Sequence, residues 1–97
     1  MNKFDEAIAT YKKVIALQPN DPNFRFNLGT AFFSKGEYRS AVDSYREAIR
    51  LKPDFAHAHY NLGMSLLRLN DSASAQLAFE EATRLDPTLK PPLGTSK

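Results

Sequence analysis

The chain repeats itself at a fixed spacing, and no other feature restricts its fold as much. Asn27-Leu28-Gly29 recurs as Asn61-Leu62-Gly63, 34 residues further on. The same offset carries Ala41 to Ala75, Tyr45 to Phe79, Glu47-Ala48 to Glu81-Ala82, Arg50-Leu51 to Arg84-Leu85 and Pro53 to Pro87. Counted backwards, it pairs Ala41 with Ala7, Tyr45 with Tyr11, Ile49 with Ile15, Leu51 with Leu17 and Pro53 with Pro19. The chain thus divides into a half repeat (1–21), two full repeats (22–55 and 56–89) and a tail (90–97) that reads as flexible or polyproline-like. Such a period marks a solenoid, whose units bury their apolar faces only against one another.

Each full repeat reads as two helices joined by a tight turn. Asp21-Pro22 opens the first one, because Asp caps orphan amides and Pro, with no N–H, suits the first helical position. Helix A then extends to about residue 35, where Gly36 supplies a left-handed stop; Asn70, at the equivalent place in the next repeat, tolerates the same backbone. Helix B runs over about 38–51 and ends before Pro53, since the residue preceding proline resists the helical region. Asp54 is expected to cap the second helix A, about 56–69, and Asp71 or Ser72 the last helix B. The half repeat supplies one helix B, about 3–17. The fold class is all-α, a solenoid of antiparallel helix pairs.

Leu28-Gly29, Phe32, Ala41-x-x-x-Tyr45 and Pro53, followed by Leu62-Gly63, Ala75-x-x-x-Phe79 and Pro87, resemble the signature of the tetratricopeptide repeat family. The half repeat keeps Ala7-x-x-x-Tyr11 and Pro19, so the resemblance covers about residues 3–89, and it implies that the helix pairs wind into a right-handed superhelix. The small residues sit where helices approach closely, and each aromatic fills the hollow beside its alanine. The usual Trp is replaced by Arg25 and His59, and Leu66 takes the place of the second aromatic in the last repeat.

Composition removes several function classes. Thirteen Lys and Arg against 11 Asp and Glu leave a net charge of +2, too balanced for binding nucleic acid or membrane by bulk charge. With no Cys there is neither a disulfide framework nor a thiolate metal site. No apolar run reaches the ~18 residues of a membrane span and no signal-like stretch opens the chain, so the cytoplasm is the default expectation. His57 and His59 stand two apart and point in different directions on a helix, so no metal is expected there. No cofactor motif and no catalytic constellation is visible, so the chain reads as a non-enzyme. Asn70-Asp71-Ser72 fits a glycosylation sequon, but nothing marks the chain as secreted.

The resemblance implies a concave surface lined by helices A that holds an extended peptide of a partner protein, as a scaffold or co-chaperone-like adaptor would. In such relatives the Asn before Leu-Gly bonds peptide main chain, and it is present here as Asn27 and Asn61. With like helices ~10 Å apart and an extended chain advancing ~3.3 Å per residue, the two would grip peptide units about three residues apart. Asn23, Phe26, Thr30 and Phe33 fall on the same face of the first repeat, and His57, Tyr60, Met64 and Arg68 on that of the second. The relatives' two-carboxylate clamp is matched only in its Asn component, because Asn23 and His57 stand where Lys would be.

Neither complete helix A contains Asp or Glu, while Arg25, Lys35 and Arg68 lie on them, with His57 and His59 beside. A mildly basic groove is expected, with a preference for acidic peptides or a free carboxylate and, through His57, tighter binding below about pH 6.5. The alternative reading starts from the open ends of the array. The first helix B presents Phe4, Ala7, Ile8, Tyr11 and Ile15 without a helix A of its own, and the last helix B lacks a polar cap, so the chain is either a piece of a longer array or a self-associating unit.

Overall fold

The computed structural model describes residues 2–92 and contains five α-helices. They are α1 (Lys3–Leu17), α2 (Pro22–Lys35), α3 (Tyr38–Leu51), α4 (Ala56–Arg68) and α5 (Ser72–Leu85). Helices A are α2 and α4; helices B are α1, α3 and α5. Each helix packs on the next in sequence, and α2 also touches α4, which sets the two helices A side by side.

The turns follow from their residues. Asn2 and Asp21 cap α1 and α2 by accepting from the backbone N–H of Asp5 and Asn23. Gly36 (φ 86°) and Asn70 (φ 65°) both adopt the left-handed conformation that ends helix A. The two stops are copies of each other, with Glu37 N–H bonded to the Phe32 carbonyl and Asp71 N–H to the Leu66 carbonyl, both at 2.9 Å. Asp71 caps α5 by accepting from Ser74 N–H. Asp54 does not cap α4. The 52–55 turn, closed by Phe55 N–H on the Lys52 carbonyl, puts Phe55 at the cap instead, and its ring stacks on Phe26 at 4.9 Å. Leu69 lies just past the end of α4.

The motif residues explain why the pairs close so tightly. Tyr45 and Phe79 are 1% and 2% exposed, and Ala41 and Ala75 are fully buried beside them. Each ring lies against the glycine of the preceding helix A: a Cβ built on Gly29 would stand 2.8 Å from Tyr45 Cε1, and one on Gly63 would stand 2.8 Å from Phe79 Cε1. With Val42, Leu62, Leu66 and Ala78 these residues make one core, and a smaller cluster of Ile8, Leu28 and Ala31 joins α1 to α2.

The expected open face of α1 is therefore smaller than the sequence suggests. Ile8 is 8% exposed, and Ala7, Tyr11 and Ile15 pack against the second cluster, since α2 covers most of the apolar stripe. Phe4 and Leu17 stay exposed on α1, and Leu77 on α5. Lys35 ties the arrangement together with ion pairs to Asp5 at 2.6 Å and Glu37 at 3.0 Å, and its ammonium is held above the usual lysine range chiefly by Asp5. No helix among the described residues is long and apolar enough to cross a membrane. Of the tail, residues 93–97 lie outside the described residues. Its first residue is tied down, with the Lys90 carbonyl accepting from the Tyr60 hydroxyl at 3.0 Å.

Candidate functional site

Because α2 and α4 share one side of the stack, their repeated positions converge on a hollow of about 250 Å³. It is lined by Thr30 and Phe33 from α2, Tyr60, Asn61 and Met64 from α4, and Tyr45 from α3 beneath them. Five of the ten residues expected from the sequence are thus brought together. The sequence pattern assigns Tyr45 to packing alone. Its hydroxyl is the feature missed, and the signal was available: the equivalent residue of the next repeat is Phe79.

The polar atoms of the hollow form one chain. Thr30 Oγ1 lies 3.2 Å from the Phe26 carbonyl and 3.0 Å from the Tyr45 hydroxyl, which is in turn 3.4 Å from Asn61 Nδ2. Burial pushes the Tyr45 phenol up from its ordinary value, against the opposing effect of Thr30 and Asn61. Asn61 keeps Oδ1 and one N–H unspent among the described residues. Asn27 is half-buried and its side chain has no hydrogen-bond partner among the described residues.

The remaining expected residues fall elsewhere. Phe26 spends its ring on Phe55 and on Tyr45, 5.6 Å away, so it is packing rather than lining. Asn23 is exposed at the first turn of α2, outside the hollow. His57 is exposed at the start of α4, and the acid that feels it is Asp86, whose carboxyl is held below its usual range mainly by Thr88 and only last by His57. Arg68 lies at the rim. Its guanidinium carbon is 5.8 Å from the Phe33 ring centre and 5.6 Å from that of Tyr38, and it has no ion pair among the described residues.

The basic groove inferred from charge placement is correspondingly narrower. Lys35 is neutralised by Asp5 and Glu37. Arg25 turns back to the Pro19 carbonyl through Nε and Nη2, and His59 Nε2 donates to the Pro53 carbonyl at 2.9 Å. These two contacts are 34 residues apart at both ends. The residues standing in place of the usual Trp thus share one job, fastening helix A to the turn before it. Of the three Arg and Lys on helices A, Arg68 is the one without an ion pair or a side-chain hydrogen bond among the described residues, and it stands against Phe33 of the hollow. Among the described residues no group of three or more His, Asp or Glu is arranged to hold a metal ion.

Comparison with known proteins agrees with this architecture. A family model described as TPR repeat matches residues 1–36 and 29–70, and one described as tetratricopeptide repeat matches residues 56–89. Among solved structures, the first TPR of Spaghetti (RPAP3) bound to the HSP90 peptide SRMEEVD is 26% identical, with a TM-score of 0.86 over 88% of this chain and 68% of that one. MamA is 28% identical, with a TM-score of 0.84 over 87% of this chain and 49% of that one. The Yersinia enterocolitica type III secretion translocator chaperone SycD, 22% identical, shares the fold with a TM-score of 0.83 over 86% of this chain and 57% of that one. The chain thus spans between about half and two-thirds of the length of these structures. No match to a curated protein sequence reaches significance.

Proposed function

The chain belongs to the tetratricopeptide repeat family, and from that premise we propose that it is a non-catalytic scaffold module whose α2–α4 groove holds a short extended segment of a partner protein. The observation that carries the reading is the hollow itself, where two consecutive helices A bring apolar walls and an oriented amide to one place, with the Arg68 guanidinium at its rim over the Phe33 ring. The RPAP3 domain, similar over most of this chain, is bound to an HSP90 peptide that ends in acidic residues, which supports a peptide as the class of ligand.

Arg68 gives the groove its charge preference. Its guanidinium stacks on Phe33 and Tyr38 and leaves its N–H groups for an acid, so segments that are acidic or end in a free carboxylate bind best. Affinity is on the order of micromolar, because a groove two helices wide contacts few residues and ordering a flexible peptide is costly. Binding weakens with added salt.

Fluorescence anisotropy with an acidic peptide, its neutral amidated analogue and a basic peptide tests the reading. The acidic peptide is expected to bind tightest, and Arg68→Glu to remove that advantage. Equal affinities for all three, or an unchanged ranking in the variant, would overturn it.

A further inference from the structure

The hydrogen-bond chain under the hollow has a direction, and the direction limits what can enter. Thr30 has one hydroxyl proton, and the Phe26 carbonyl can only accept, so that proton points at Phe26. Thr30 Oγ1 must then accept at its 3.0 Å contact with Tyr45, which commits the Tyr45 proton to Thr30. The Tyr45 oxygen is left to accept from Asn61, and this turns the Asn61 amide so that Nδ2 faces Tyr45. Protons therefore run Asn61 to Tyr45 to Thr30 to Phe26.

The unspent capacity is lopsided. Among the described residues, Thr30 Oγ1 has a free lone pair and Asn61 Oδ1 has both of its own; the only donor left in this series of hydrogen bonds is the second N–H of Asn61. Tyr45 is 1% exposed, so its hydroxyl cannot turn to water and re-aim the chain. The rest of the lining is Phe33, Met64 and the ring of Tyr60, whose hydroxyl proton is committed to the Lys90 carbonyl.

Resting on the groove reading above, we propose that the hollow is a specificity pocket for a neutral carboxamide side chain, that of Gln, in the bound segment. A carboxamide offers two N–H groups to Asn61 Oδ1 and Thr30 Oγ1, and a carbonyl to the remaining Asn61 N–H. The methylenes of Gln match the apolar walls. A carboxylate of the same shape has no donor and would set its charge against the acceptor oxygens. An ammonium would meet the Arg68 guanidinium on the Phe33 wall. The acid of the ligand belongs at Arg68, outside the hollow, and the carboxamide belongs inside.

Two measurements test this. The first uses pools of acidic seven-residue peptides with one central position fixed as Gln, Glu, Met or Lys, bound by the wild type, Tyr45→Phe and Thr30→Val. Phe already stands at the equivalent position 79, so the fold accommodates the first variant, and Thr30 is exposed on α2. Gln pools should exceed Glu pools by about tenfold in the wild type and by less than about twofold in both variants. Glu equal to or above Gln in the wild type, or a Gln preference that survives both variants, overturns the proposal. The second measurement titrates the free protein with butyramide and butyrate while following the Asn61 side-chain amide by NMR. A shift with butyramide alone supports the pocket, and equal shifts or none overturn it. If no peptide pool binds, the groove reading fails, and the butyramide titration still decides the pocket.

Discussion

Replacing Gly63 with Ala separates this architecture from an ordinary pair of helices. In an isolated helix Gly→Ala is favourable by about 0.8–1.0 kcal/mol, because alanine loses less backbone freedom on folding. Here the new Cβ would meet Phe79 at 2.8 Å from Cε1 and 2.9 Å from both Cδ1 and Cζ, closer than real Cβ contacts come. The ring is 2% exposed among Ala75, Ala78 and Leu62, so it cannot swing out of the way without displacing α5. Overpacking of this kind costs about 1–3 kcal/mol. The net expectation is a loss of up to about 2 kcal/mol, or a Tm lower by as much as roughly 10 °C for a domain of this size. Thermal unfolding followed by circular dichroism reads it, and trimming the ring in a Gly63→Ala/Phe79→Leu double variant should recover part of the loss. Gly36→Ala serves as a contrast, for there nothing lies within 4 Å and the penalty comes from the backbone at φ 86°. A Gly63→Ala protein that melts above the wild type would show that the glycine is not held there by the ring.

Ala75→Leu places a large side chain at a fully buried helix contact and should destabilise by about 1–3 kcal/mol in chemical unfolding. Burial holds the Tyr45 phenol protonated in the folded state, while the unfolded chain ionises near pH 10. Stability should therefore fall as pH rises above about 10, and Tyr45→Phe should flatten that part of the profile, as urea melts at successive pH values can show. His57→Ala should leave peptide affinity within about twofold by anisotropy at pH 6 and pH 7.5, since the side chain lies outside the hollow.

Much of the fold was legible because its rules are local and repeated. Gly29 with Tyr45, and Gly63 with Phe79, carry the close approach in their spacing, and Pro53 and Pro87 mark where helices B have ended. The cap of α4 is not legible in the sequence, because Asp54 and Phe55 are neighbours in the 52–55 turn and the contact that singles out Phe55, its stack on Phe26, comes from another helix. Half of the candidate site followed from helical phase, which puts Thr30 and Phe33 on the same side as Tyr60, Asn61 and Met64. The rest depended on partners that phase cannot supply. Lys35 met an acid from α1, Phe26 met Phe55, and the Tyr45 hydroxyl reached between two helices to Thr30 and Asn61.

The central claim is that the α2–α4 face binds peptide. A 1H–15N correlation titration with an acidic peptide bearing a free carboxylate tests it most directly. Saturating shifts should centre on Thr30, Phe33, Tyr60, Asn61 and Met64, with Asn27 and Arg68 at the margins, and leave the outer faces of α1 and α5 unmoved. Shifts centred instead on Phe4, Leu17 or Leu77, or none up to millimolar peptide, would contradict the account.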